Sequence, residues 1–101
     1  MHSASEFQIL YIKLYTQLRK YIWDYSIVVQ IADLEVAVYT AFPELNVVAR
    51  CFDALRASVA RTDVYREDEE LKEAFEEFDE AIETVDNLYL PITTFEEVVE
   101  V

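Results

Sequence analysis

No glycine occurs anywhere among the 101 residues, and only two prolines, Pro43 and Pro91, interrupt the chain. The common hairpin turns need backbone positions that glycine tolerates best, so the chain lacks the means to build them and an all-helical fold follows. The same absence removes several kinds of catalytic or ligand site. Phosphate-cradling loops, dinucleotide turns and nucleophile elbows all depend on glycine at fixed places.

Within that helical frame the stretch from Asp63 to Leu90 reads as one uninterrupted acidic, amphipathic helix. Its apolar residues Leu71, Phe75, Phe78, Ile82, Val85 and Tyr89 recur in steps of four and three, which keeps one face on one partner. The remaining surface is carboxylate from Glu67 to Asp86, relieved only by Lys72. About 27 helical residues would span about 40 Å. Leu90-Pro91 should end it. Thr94 with Glu97 makes a capping-box pattern, so Phe95 to Val101 forms a short last helix, although Val98, Val99 and Val101 also suit an extended edge segment.

Upstream, Ser5 suits the N-cap of a first helix with a buried stripe of Phe7, Leu10, Tyr11, Leu14, Leu18, Tyr21, Ile22 and Tyr25. Around Asp24-Tyr25-Ser26 this helix kinks or restarts, with Asp24 or Ser26 as cap. Ile27 to Phe42 is rich in β-branched residues, but Gln30, Asp33 and Glu35 break strict alternation, and Ser26, Gln30, Asp33 and Thr40 recur at helical spacing. We read it as a helix enclosed on most sides. Pro43 and Glu44 suit the first turn of the next helix, with a stripe of Leu45, Val48, Ala49, Phe52, Leu55 and Val59. The expectation is a single all-α domain over residues 1–101: a small bundle of three long helices, the first broken near Ser26, plus a short C-terminal segment. A second apolar line beside the first stripe includes Ile12, Tyr15 and Trp23. It makes the apolar arc wider than one neighbour needs, so these three are the expected interface of a homodimer.

Charge divides the chain sharply. Residues 1–66 hold seven acids and seven bases, and all of the net charge of −13 lies in residues 67–101. A field of that sign repels nucleic acid and anionic membrane and favours a basic surface on another protein. With 53% hydrophobic residues the chain is no disordered acidic tail. The single Cys51 forms no internal disulfide, the first residues lack the features of a secretory signal, and the longest apolar run is too short for a bilayer. A soluble, cytoplasmic protein is expected, with no cofactor.

Glu67-x-x-Glu70, twelve residues, then Glu83-x-x-Asp86 resembles the metal-binding signature of the all-helical MazG-type nucleoside triphosphate pyrophosphohydrolases. In those enzymes carboxylates from two antiparallel helices hold magnesium against substrate phosphates. The resemblance implies Glu67, Glu70, Glu83 and Asp86 as metal ligands, which must converge to share an ion. On one straight helix Glu70 and Glu83 stand about 20 Å apart, so a second subunit would have to supply half the site. Other sites lack their residues: the only histidine is His2, and Cys51 has none to pair with. The acidic face itself remains. Glu69, Glu73, Glu76, Glu80 and Glu83 form a line whose successive members rise about 4.5 to 6 Å. The plainer reading is a solvated face partly paired with Lys13, Lys20, Arg50 and Arg61. The functional one is a row that imitates phosphates and occupies the basic groove of a nucleic-acid-binding protein, as DNA-mimic inhibitors of phage and plasmid origin do. The expected function is thus a non-enzymatic interaction module, with an oligomeric assembly protein second and the pyrophosphohydrolase third.

Overall fold

The computed structural model of the chain describes the backbone of residues 4–100 and the side chains of residues 6–85. The protein is all-α: α1 (Ala4–Leu18), α2 (Tyr25–Tyr39), α3 (Leu45–Ala60), the short α4 (Asp63–Glu67) and the long α5 (Glu69–Glu100).

No described residue has positive φ. Without glycine the usual left-handed helix ending is costly, and the carbonyls of each last turn must be satisfied otherwise. At the end of α1, Leu18 O accepts from the indole Nε1 of Trp23 at 2.8 Å and from the amide of Tyr21 at 3.1 Å. Helix α2 stops at Thr40, whose backbone is extended at φ −68° and ψ 159°. Its start is built by Asp24, whose carboxylate accepts from the amide of Ile27 at 3.0 Å and from the Ser26 hydroxyl at 2.8 Å. Those bonds, the one from Ile27 first, hold the Asp24 carboxyl below its ordinary range.

Around the bundle α5 packs on α1, α1 on α2, α2 on α3, and α3 back on α4 and α5. Helix α1 runs antiparallel to α5, since Phe7 meets Phe78, Lys13 meets Glu77 and Lys20 meets Asp68. Ala74 and Ala81, seven residues apart and both buried, lie on the side of α5 towards α1, and their small side chains let the two backbones come close. On the α3 side large rings fill the space instead. Phe52 stacks on Phe78 with centroids 4.7 Å apart and packs on Phe75 at 5.8 Å, while Tyr65 of α4 meets Phe75 edge-on. The core is one continuous cluster, and among the described residues it contains no buried polar or charged side chain apart from the tyrosine Tyr11.

The structure departs from the sequence expectation in four places. First, the chain does restart near Ser26, α2 beginning at Tyr25 behind the Asp24 cap, but α1 already ends at Leu18. The segment from Arg19 to Asp24 is a link, and Ile22 and Tyr25, expected on the buried stripe, are almost fully exposed. The cause is the Asp24 cap together with Trp23, whose indole folds back on Leu18 in place of the next helical turn. Second, α2 is not enclosed: Val28, Val29 and Val36 on its outer side are exposed. Third, the acidic helix is interrupted at Asp68, so it is two helices. Fourth, α5 continues through Pro91 to Glu100. An interior proline forgoes one amide hydrogen bond and crowds the carbonyl four residues before it, at a cost of about 3 kcal/mol, yet the helix runs on past Pro91. Phe95 to Glu100 therefore extends α5 and is no separate piece, and Val101 lies outside the described residues.

Phe52 touches both rings of α5 and has no exposed surface. Phe52→Ala should lower stability by about 3–5 kcal/mol, a large share of the ~5–15 kcal/mol of a typical domain. Urea denaturation followed by circular dichroism measures it, and a loss below ~1 kcal/mol would contradict this packing.

Candidate interaction surface on the acidic helix

Burial on α5 decides what its other side presents. Leu71, Ala74, Phe75, Phe78, Ala81, Ile82 and Val85 are buried and occupy roughly a third of the helical circumference. Glu69, Glu73, Glu76, Glu80 and Glu83 fall diametrically opposite, and all five are exposed. Between these two faces the fold ties down two acids. Glu77 accepts from Lys13 of α1 at 3.4 Å, and Asp79 pairs with Arg56 of α3 at 3.4 Å. Both ion pairs lie on the flanks.

The row itself is left nearly unpaired. Glu69 has Lys72 at 3.6 Å, with most of its own side chain in water. No base among the described residues lies within ion-pairing distance of Glu73, Glu76, Glu80 or Glu83. Of the four bases that could have neutralised the acidic face, Lys13 and Lys20 reach Glu77 and Asp68, and Arg61 bonds Ser58 on its own helix. Arg50 forms no ion pair among the described residues.

One residue sets where the row begins. Asp68 interrupts the helix with φ −102° and ψ 99°, and its Oδ1 accepts from the amide of Leu71 at 3.1 Å, the geometry of an N-cap for α5. Its Oδ2 accepts from the Tyr21 hydroxyl at 2.5 Å and lies 3.2 Å from Lys20 Nζ. The Tyr21 bond first, then the Leu71 amide and Lys20, hold the Asp68 carboxyl below the ordinary range, although partial burial opposes them. Reciprocally, the bond to Asp68 raises the Tyr21 hydroxyl, with Glu67 and Glu70 adding charge repulsion. The importance of Asp68 was readable in part. An aspartate followed by Glu69 and Glu70 and then an apolar residue is a helix-start signal. Its partner Tyr21, 47 positions away, was not.

Of the pyrophosphohydrolase-like pattern, the described carboxylates Glu67, Glu70 and Glu83 do not come together. Glu67 sits on α4, while Glu70 and Glu83 lie on α5 thirteen residues apart, about 20 Å along a helix that does not fold back near Glu76. The side chain of Asp86 lies outside the described residues. Among the described residues no three histidine, cysteine or acidic side chains cluster so as to hold a metal ion, so the single chain does not assemble the site that the resemblance implies. Cys51 is half-buried, and burial first, then the Asp33 charge, push its thiol up, away from the thiolate that a nucleophile needs. No described helix is long and apolar enough to cross a membrane.

The residues expected at a subunit interface part company. Ile12 and Tyr15 are exposed on α1, Tyr15 stacking on Tyr11. Trp23 is half-buried against the core, edge-on to Tyr21, with its N–H spent on Leu18.

What fold and surface define together is a small all-α bundle whose acidic ridge is nearly unpaired among the described residues. Models of known protein families, curated proteins and solved structures yield no match to the chain.

Two outcomes follow from this geometry. Asp68→Asn keeps a capping side chain but loses the charged bonds to Tyr21 and Lys20, and should cost about 1–2 kcal/mol at pH 7. Because the folded carboxyl titrates lower than its unfolded value of about 3.9, its contribution is complete above that pH and disappears as pH falls through the lower folded value. The gap between parent and variant, read from urea denaturation, should thus close below about pH 4. Replacing Glu73, Glu76, Glu80 and Glu83 together by Gln should leave the fold intact and raise stability by a few tenths of a kcal/mol per relieved i,i+3 or i,i+4 repulsion. That gain should be greatest at low salt, and a destabilised variant would mean the row has partners within the fold.

Proposed function

We propose that the chain is a non-enzymatic interaction module that presents the outer row of α5 to a basic surface on another protein. In its concrete form the row imitates nucleic-acid phosphates, as in an inhibitor of a nucleic-acid-binding protein carried by a phage or mobile element. The observation that carries this reading is the linear charge of an unneutralised ridge. From Glu69 to Glu83 the helix carries eight acids and Lys72. Allowing for the tethers from Lys13 and Arg56, a net five negative charges remain. Fourteen residue steps rise about 21 Å, so the ridge bears one charge per ~4 Å. A single strand of B-DNA carries one per ~3.4 Å of axis. A basic groove shaped for phosphates would meet a comparable field here, on a helix too rigid to collapse away from it.

Two features support a functional ridge over a merely solvated one. Like charges along one helix face weaken it, and solubility alone would be served by fewer. The fold also ties Lys13 and Lys20 to acids beside the row, and among the described residues leaves Glu73, Glu76, Glu80 and Glu83 without an ion pair.

The test is capture from a cell lysate at a series of salt concentrations, comparing the parent with the fourfold Gln variant. Capture by the parent should weaken steeply with ionic strength and be absent for the variant, whose circular dichroism stays that of the parent. Equal capture by both would defeat the reading.

A further inference from the structure

Helices α2 and α3 pack on each other but leave a cleft of about 410 Å³ between them, where Gln30 and Asp33 of α2 face Val47, Arg50, Cys51 and Ala54 of α3. That volume falls in the usual range for small-molecule pockets, roughly 300–1,000 Å³. Gln30 and Asp33 lie three residues apart, so both side chains rise from the same face of their helix. On the opposite wall Val47, Cys51 and Ala54 recur at helical spacing as an apolar strip with Arg50 beside it. Three polar groups here have unused bonding capacity. Gln30 Oε1 is shielded from water and accepts no hydrogen bond among the described residues, a state in which folded proteins leave few buried polar atoms. Asp33 and Arg50 form no ion pair among the described residues, with each other or with any third group. Both nevertheless act on one atom: after burial, the leading influence, Asp33 pushes the Cys51 thiol up and Arg50 pulls it down. An acid and a base thus flank the cleft without neutralising each other.

We propose that this cleft binds a free amino acid with an apolar side chain. An ammonium offers three N–H donors and no acceptor, which suits the Asp33 carboxylate and Gln30 Oε1 together. A carboxylate suits Arg50, whose planar guanidinium donates two parallel hydrogen bonds to such a group. The apolar side chain of the ligand then covers Val47, Cys51 and Ala54. Opposite charges on opposite walls select a zwitterion, since a simple cation would leave Arg50 unpaired and a simple anion would leave Asp33 and Gln30 unpaired. Asp33 and Arg50 are themselves exposed, so the cleft is reached from solvent without moving a helix. Helix α2 makes no contact with α5, and the inference stands apart from the function proposed for the acidic row.

Titration of the full chain with L-leucine, followed through its backbone amide resonances, tests this. The amides of Gln30, Asp33, Arg50 and Cys51 should shift and saturate. N-acetyl-leucine, which lacks the ammonium, and leucinamide, which lacks the carboxylate, should each bind about tenfold more weakly or worse, the loss expected for one charged hydrogen-bonding group. Asp33→Asn and Arg50→Gln should weaken leucine binding to the same degree, with unchanged circular dichroism. No saturable shift up to about 10 mM leucine, shifts centred outside the cleft, capped analogues that bind as well as leucine, or indifference to both substitutions would each overturn the inference.

Discussion

Everything the surface presents depends on the rings of Phe75 and Phe78 being buried against Phe52 and Phe7. A helix with carboxylates on most of its circumference has no intrinsic orientation, and burial of the opposite face supplies one. Fully burying a phenylalanine is worth about 1.5–3 kcal/mol, while each repulsive pair along the outer row costs only a few tenths. The apolar face therefore wins, and the acids turn outward as its consequence. Ala74 and Ala81 sharpen the result, since they admit α1 closely on one side while the rings keep α3 at a distance on the other.

Asp68 gives that orientation a fixed starting point. Without glycine the chain must turn using extended residues, and at Asp68 the turn is combined with a cap, a tyrosine and a lysine in one carboxylate. The same bonds join the start of α5 to the segment just after α1, so the two helices are registered at one end by polar bonds and along their length by apolar packing. Lys13 and Arg56 then tether the flanks. The outcome is a ridge whose middle has no ion-pair partner among the described residues, although the chain contains eight lysines and arginines.

The fold class was legible because glycine's absence and helical periodicity agree with each other. The stripe of α3 is a direct case: Val48, Phe52, Leu55 and Val59 are buried, and Asn46, Arg50 and Asp53 face water. Asp24 as a cap was legible as well, since its signal is local. The break at Asp68 was legible only in part: a helix-start signal is present, but the apolar register runs on smoothly and the residue that stabilises the break, Tyr21, is remote in sequence. The outer face of α2 was hidden for another reason. Valine and isoleucine on all sides read as burial on all sides, yet whether a neighbour exists on a given side is a matter of how many helices the chain possesses. The exposed row on α5 was legible as a line of residues, while its lack of counter-ions was not, because pairing depends on which lysines the packing brings within reach.

The proposal that the outer row of α5 stands in for a strand of phosphates is tested by competition. A protein captured on the immobilised chain is challenged with short duplex DNA at constant ionic strength. If both occupy one basic groove, the captured protein should be released in proportion to added duplex. Retention of the captured protein at saturating duplex would contradict it.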